Sequence, residues 1–189
     1  TEMHTSLPSI EDFSSFLKEA HDLCVTGNAL VRATLLRTIR KILQNINNKD
    51  LIIVYIQRIE QFKWHWLISM CLEREPIMDE SNSAGDYGRG SDGHVVRQDF
   101  CFERMQALKV VKIIISRCPL QIPIVLARSV VAIALNVKDN FRRVAVETIR
   151  EMSLVNAPAV IVSKGLDALL NAIFDPSFKD MINGITSSF

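Results

Sequence analysis

The sequence predicts an all-α protein of the armadillo/HEAT helical-repeat class, a stack of helices forming an α-α superhelix. Three observations carry that prediction. Apolar residues recur at three- and four-residue spacing along nearly the whole chain, with no sustained two-residue alternation of the kind a strand needs. One arginine-led phrase occurs three times. Finally, 48% hydrophobic and 23% charged residues over 189 positions are ordinary for a folded chain with a substantial core.

The elements follow from periodicity and punctuation. Helices are expected over 10–26, 29–45, 49–75, 100–117, 121–136, 140–156, 158–174 and 177–188, with the long 49–75 segment breaking near Phe62-Lys63. Ser9 precedes the first helix with Asp12 in its first turn, and Gly27-Asn28 stops that helix. Pro123 and Pro158 suit first turns, and Asp175-Pro176 ends a helix. Short connections then make neighbouring helices antiparallel.

The repeated phrase aligns "VRATLLRTIRKIL" at 31–43 with "ERMQALKVVKIII" at 103–115 and "FRRVAVETIREMS" at 141–153. Arg32, Arg104 and Arg142 open the three helices; Leu36, Leu108 and Val146 follow, then Ile39, Val111 and Ile149, then Arg40, Lys112 and Arg150. Once the polar stretch at 76–99 is set aside, the spacings bracket the roughly 40–47 residues of HEAT and armadillo repeats. A unit of this kind has two apolar stripes and buries both only when neighbours stack on it. The domain expectation is an N-terminal helix at 1–28, a first repeat at 29–75, a mobile polar loop at 76–99, second and third repeats at 100–175, and the start of a further helix at 176–189. The chain reads as a piece of something longer, whose cut apolar face would favour self-association.

Several functional classes recede. With 22 basic and 21 acidic residues the chain has no strong pull on nucleic acid. No apolar run approaches the roughly 20 residues of a membrane-spanning helix. Cys24, Cys71, Cys101 and Cys118 are scattered, as expected for reduced thiols in the cytosol. Gly88, Gly90 and Gly93 have the G-x-G-x-x-G spacing of dinucleotide sites, but no strand precedes them. His4, His21, His65 and His94 form no catalytic constellation. His21 and Cys24 have a spacing that a metal could share, without a second ligand pair, so no metal and no cofactor are expected. In Trp64-His65-Trp66 helix geometry sends the two indoles to different faces, one to the core and one to a groove. Leu166, Leu169 and Leu170 spell LxxLL, a docking motif whose leucines are expected here on the inner stripe of a packed helix.

The basic rows are the remaining surface feature. Arg37, Arg40 and Lys41, then Lys109 and Lys112, then Arg142, Arg143 and Arg150 fall on the polar side of successive repeat helices. Stacking would line them into a ridge suited to an acidic or phosphate-bearing partner. A solvated face with local pairs, such as Arg143 with Glu147, is the simpler expectation. The candidate partner-binding residues are Arg37, Arg40, Lys112 and Arg150.

"LVRATLLRTIRKIL", "WLISMCLERE", "ERMQALKVVKIIISRCP" and "RRVAVETIREMSLVNAPAVIVSKGLDALLNAIFD" together resemble the N-terminal armadillo/HEAT region of the Rictor family, over about 29–175 with an interruption at 76–99. The distinctive features are the ordered steps from Glu103 to Leu108, from Glu151 to Val160, and through Lys164-Gly165-Leu166. The resemblance implies a non-catalytic scaffold subunit of TOR complex 2. It would dock the TOR kinase and a Sin-type substrate-recruiting subunit for phosphorylation of AGC-family kinases, with effects on the actin cytoskeleton. It implies a cytoplasmic protein whose membrane contact is peripheral and made through the complex. The alternative is a generic armadillo-type peptide-binding adaptor outside the TOR pathway. Such an adaptor would carry a recurring ladder of tryptophans and asparagines, and Trp64 and Trp66 occur once without recurrence.

Overall fold

A computed structural model of the chain describes residues 7–74 and 92–178. Among these residues the regular structure is helical, with no strand: α1 (Ile10–Thr26), α2 (Ala29–Asn45), α3 (Lys49–Gln61), α4 (Trp64–Glu73), α5 (Asp92–Arg117), α6 (Ile124–Leu135), α7 (Arg142–Val155), α8 (Ala157–Val162) and α9 (Gly165–Phe174). Short 3-10 turns lie at Pro119–Gln121 and Pro176–Phe178. The all-α, helical-repeat class is the one the sequence predicts. The chain divides within α5 into two compact units, residues 1–110 and 111–189.

Local chemistry sets the boundaries. Ser9 and Asp12 form a reciprocal capping box at the start of α1. The Asn28 side chain accepts from the Val31 amide to open α2, and Asn48 accepts from the Asp50 and Leu51 amides to open α3. The expected break after α3 falls at Phe62-Lys63, where Lys63 is left-handed at φ 59°.

Two boundaries depart from expectation. The segment 158–174 is two helices, α8 and α9, parted at Ser163 and Lys164, with Lys164 left-handed at φ 64°. No proline marks this break, so periodicity alone runs through it. Helix α5 starts at Asp92, inside the segment expected to be loop. The rest of that segment, with Gly88 and Gly90, lies outside the described residues, as does nearly all of the helix expected at 177–188.

In the first unit α1 packs on α2, α3 and α4. Phe13, Leu17, Leu36, Ile39, Ile52, Tyr55, Ile59, Trp64 and Leu72 fill the core. The indole of Trp64 donates to the Leu17 carbonyl at 2.8 Å, which satisfies a polar atom the core would otherwise orphan. In the second unit α6 packs on α7, α8 and α9, and Val130, Val131, Ala134, Ala145, Ile149 and Met152 are buried.

The repeat continues past the arginine-led helix. Helices α2, α3, α4 and helices α7, α8, α9 follow one plan: an arginine-led helix, an asparagine-capped second helix (Asn48, Asn156) and a third helix entered through a left-handed lysine (Lys63, Lys164). The intervening α5, the 3-10 turn at Pro119–Gln121 and α6 share only part of it: the buried arginine, Arg104, lies inside α5, the second helix is one turn with Cys118 at its N-cap, and α6 is entered through Pro123.

Candidate functional site

The three repeat arginines are buried structural clamps. On α2, Arg32 stands on the same stripe as Leu36, Ile39 and Leu43, and its guanidinium is enclosed. It donates to the Gly27 carbonyl at the end of α1, and makes a bidentate pair with the fully buried Glu103, at 2.7 Å from Nε and 3.0 Å from NH2. Burial works against the Arg32 charge, yet the hydrogen bonds and field of Glu103 outweigh it and raise the guanidinium above its ordinary value. Arg104 sends its Nε to the Leu72 carbonyl near the end of α4, at 3.0 Å. Arg142 sends its Nε to the Ala134 carbonyl near the end of α6, at 3.1 Å. It also pairs with Asp175 and lies 4.8 Å over the Phe178 ring. Each clamp satisfies carbonyls at a helix C-terminus, where a cation is also favoured by the helix dipole. Arg142 therefore does not belong to the basic surface row in which the sequence places it.

Of the candidate partner-binding residues, Arg37 and Arg40 lie on α2 in the first unit. Arg37 is exposed; Arg40 is half-buried, with its Nε enclosed and unbonded. In the second unit Lys112 on α5 reaches Glu151 on α7 at 3.2 Å, next to the exposed Arg150. Lys41 and Lys109 are exposed, and Arg143 approaches Glu147 at 3.7 Å as its spacing suggests. The structure thus brings Lys112 beside the helix that carries Arg150 and leaves Arg37 and Arg150 in solvent.

The other sequence candidates resolve individually. Cys24 is fully buried and turned to Cys71, while His21 sits beside Asp22 at 3.4 Å, so the two do not form a shared ligand pair. Cys71 is held above its ordinary value by its hydrogen bond with Cys24, by burial and by the Glu103 charge. All four cysteines are free thiols. Among the described residues no group of three or more His, Cys, Asp or Glu is placed to hold a metal, and no helix is long and apolar enough to cross a membrane. Trp64 is core and Trp66 is exposed beside His65, whose pKa burial lowers.

The LxxLL expectation is overturned. The inner stripe of α9 is Gly165, Ala168 and Ala172, while Leu166 and Leu170 face outward. The small residues allow close approach: a Cβ on Gly165 would lie 2.8 Å from Val160 Cγ1 and 3.0 Å from Ile149 Cγ2. Leu166 and Leu170 are left on the other side, and Leu169 is half-buried.

Repeated helical units, each with a buried arginine on its first helix that clamps the helix before it, define a helical-repeat protein of armadillo/HEAT type; Arg104, expected to open its helix, lies instead twelve residues inside α5. The chain belongs to the family described as rapamycin-insensitive companion of mTOR, N-terminal region, which matches residues 95–189. It is also similar to protein pianissimo A of Dictyostelium discoideum, 26% identical over 149 residues that cover 79% of this chain. The chain spans about 10% of the length of that relative. No solved structure matches it.

Proposed function

We propose that this chain is part of a non-catalytic scaffold subunit of TOR complex 2, which docks the TOR kinase and a Sin-type subunit so that AGC-family kinases are phosphorylated in the cytoplasm. The supporting observation is its membership, through residues 95–189, of a family whose description is a companion of mTOR. A scaffold needs no reacting group: it acts by holding partners at high effective concentration. The contact residues proposed are Arg37, Arg40, Lys112 and Arg150, in pairs: Arg37 with Arg40 on α2, and Lys112 with Arg150 near the α5 and α7 pairing. These face an acidic or phosphorylated partner surface.

The test is affinity capture of the complete polypeptide that carries these residues, followed by mass spectrometry. Unaltered protein is compared with R37E/R40E and with K112E/R150E. Recovery of the TOR kinase and the Sin-type subunit with the unaltered protein, and loss of either with one charge-reversal pair, is the expected result. Retention of both partners by both variants would remove the site assignment and leave the scaffold role. Absence of both partners from the unaltered capture would remove the role itself.

A further inference from the structure

In the first unit the core carries two thiols and an ion pair in one place. Cys24 on α1 and Cys71 on α4 are both fully buried where those helices pack, and the Cys71 thiol donates to Cys24. Cys71 also reaches the Glu103 carboxylate on α5, which Arg32 of α2 holds at 2.7 and 3.0 Å. Packing alone does not require a thiol here. Counted back from the C-caps Arg74, Asn136 and Asp175, the positions of α6 and α9 equivalent to Cys71 are Ile133 and Ala172, both buried.

The two thiols differ chemically. The hydrogen bond from Cys71 draws Cys24 below its ordinary value, outweighing burial and helped by the field of Arg32. The same bond, burial and the Glu103 charge hold Cys71 above its own. The thiolate is the nucleophile, so Cys24 reacts first and Cys71 is the thiol beside it that resolves the product. Both lie in the last turns of their helices, and Cys24 is flanked by Leu23 and Val25, 57% and 47% exposed. Helix ends open at far lower cost than the whole fold, which admits a small neutral oxidant. Cys101 stands two residues from Glu103, hence on another side of α5, and Cys118 belongs to the second unit.

We propose that Cys24 and Cys71 are a modification site, a dithiol that hydrogen peroxide closes into a reversible disulfide between α1 and α4. The Cys24 thiolate attacks one peroxide oxygen, the O–O bond breaks, and the departing hydroxide takes up the proton Cys24 released, leaving Cys24 sulfenic acid and water. The Cys71 sulfur then attacks the Cys24 sulfur, and its proton leaves with the displaced hydroxide as a second water. The two thiols lose two electrons and the peroxide gains them. A dithiol reductant reverses the bond by exchange. Cys71 gives up Glu103 as it reacts, whereas Arg32 keeps both bonds to that carboxylate, so the clamp survives oxidation. This chemistry is independent of the scaffold role.

The test exposes the complete polypeptide to hydrogen peroxide under native conditions, blocks the remaining thiols with N-ethylmaleimide in urea, and maps peptides by mass spectrometry without reductant. The expected product is a peptide pair joined through Cys24 and Cys71, more abundant than any pair containing Cys101 and lost after dithiothreitol. In C71A, which copies Ala172, Cys24 should gain oxygen instead, at least about tenfold faster than Cys71 does in C24A. The disulfide should slow hydrogen exchange across residues 10–26 by about tenfold or more, because it limits the opening of α1, and dithiothreitol should restore it. Absence of the joined pair at peroxide doses that oxidise Cys101 overturns the proposal. So do equal oxygen uptake in the two variants and exchange that the disulfide leaves unaltered.

Discussion

The two triplets, α2 to α4 in the first unit and α7 to α9 in the second, share their polar fittings and differ in almost everything the core is made of. Both have the buried leading arginine, the asparagine cap and the left-handed lysine. The second helix has 13 residues in one and 6 in the other. The third helix buries Trp64, Leu67 and Cys71 in one, and Gly165, Ala168 and Ala172 at the matching positions in the other. Apolar volume can be redistributed among neighbours as long as the space is filled, whereas a helix terminus offers only a few geometries in which its carbonyls are satisfied. The clamps and caps, more than the core residues, are what the repeats have in common.

The largest expected effect separates the two ion pairs. Glu103→Ala would strand a buried guanidinium, and stability to urea, followed by circular dichroism, should fall by about 3–5 kcal/mol. Asp175→Ala removes the partner of the less enclosed Arg142, which keeps the Ala134 carbonyl and the Phe178 ring, and should cost about 1.5–3 kcal/mol. Equal losses would mean that the two clamps carry the same load despite their different burial. Gly165→Ala tests the small-residue packing, because its Cβ would press on Val160 and Ile149; a loss of about 1–3 kcal/mol is expected. The caps sharpen the comparison further. Asn48→Ala should cost about 1 kcal/mol and Asn156→Ala more, up to about 2, since the Asn156 amide also donates to the Pro119 carbonyl. The smallest effect has the opposite sign: Lys63→Gly and Lys164→Gly each relieve a left-handed backbone and should stabilise by about 1 kcal/mol or less, read as a rise in melting temperature.

Much of this was legible in the sequence because caps are local. Ser9, Gly27, Asn28 and the Phe62-Lys63 break announce themselves within a few residues of where they act. The α8 to α9 break is invisible to periodicity because Ser163-Lys164 carries no helix breaker of its own. Comparison with Lys63 supplies the signal, a lysine at the same step before the third helix. Periodicity failed for α9 because it scores leucine as core, whereas Gly165, Ala168 and Ala172 form a second stripe at the same spacing. The burial of Arg32, Arg104 and Arg142 was also within reach. Each lies four and seven residues before apolar core positions, hence on the inner face, but charge argues for solvent until a carbonyl or carboxylate partner is known. Glu103 as the partner of Arg32 is a contact across 71 residues, which no local pattern encodes.

The buried arginines complicate any search for partners by mutational scanning. An alanine scan over charged positions would score Arg32, Arg104 and Arg142 among its strongest hits. Binding would be lost because less folded protein accumulates, at positions buried inside the fold. A scan that normalises each variant to its soluble level would demote these three and leave Arg37 and Arg150 to be judged on contact alone.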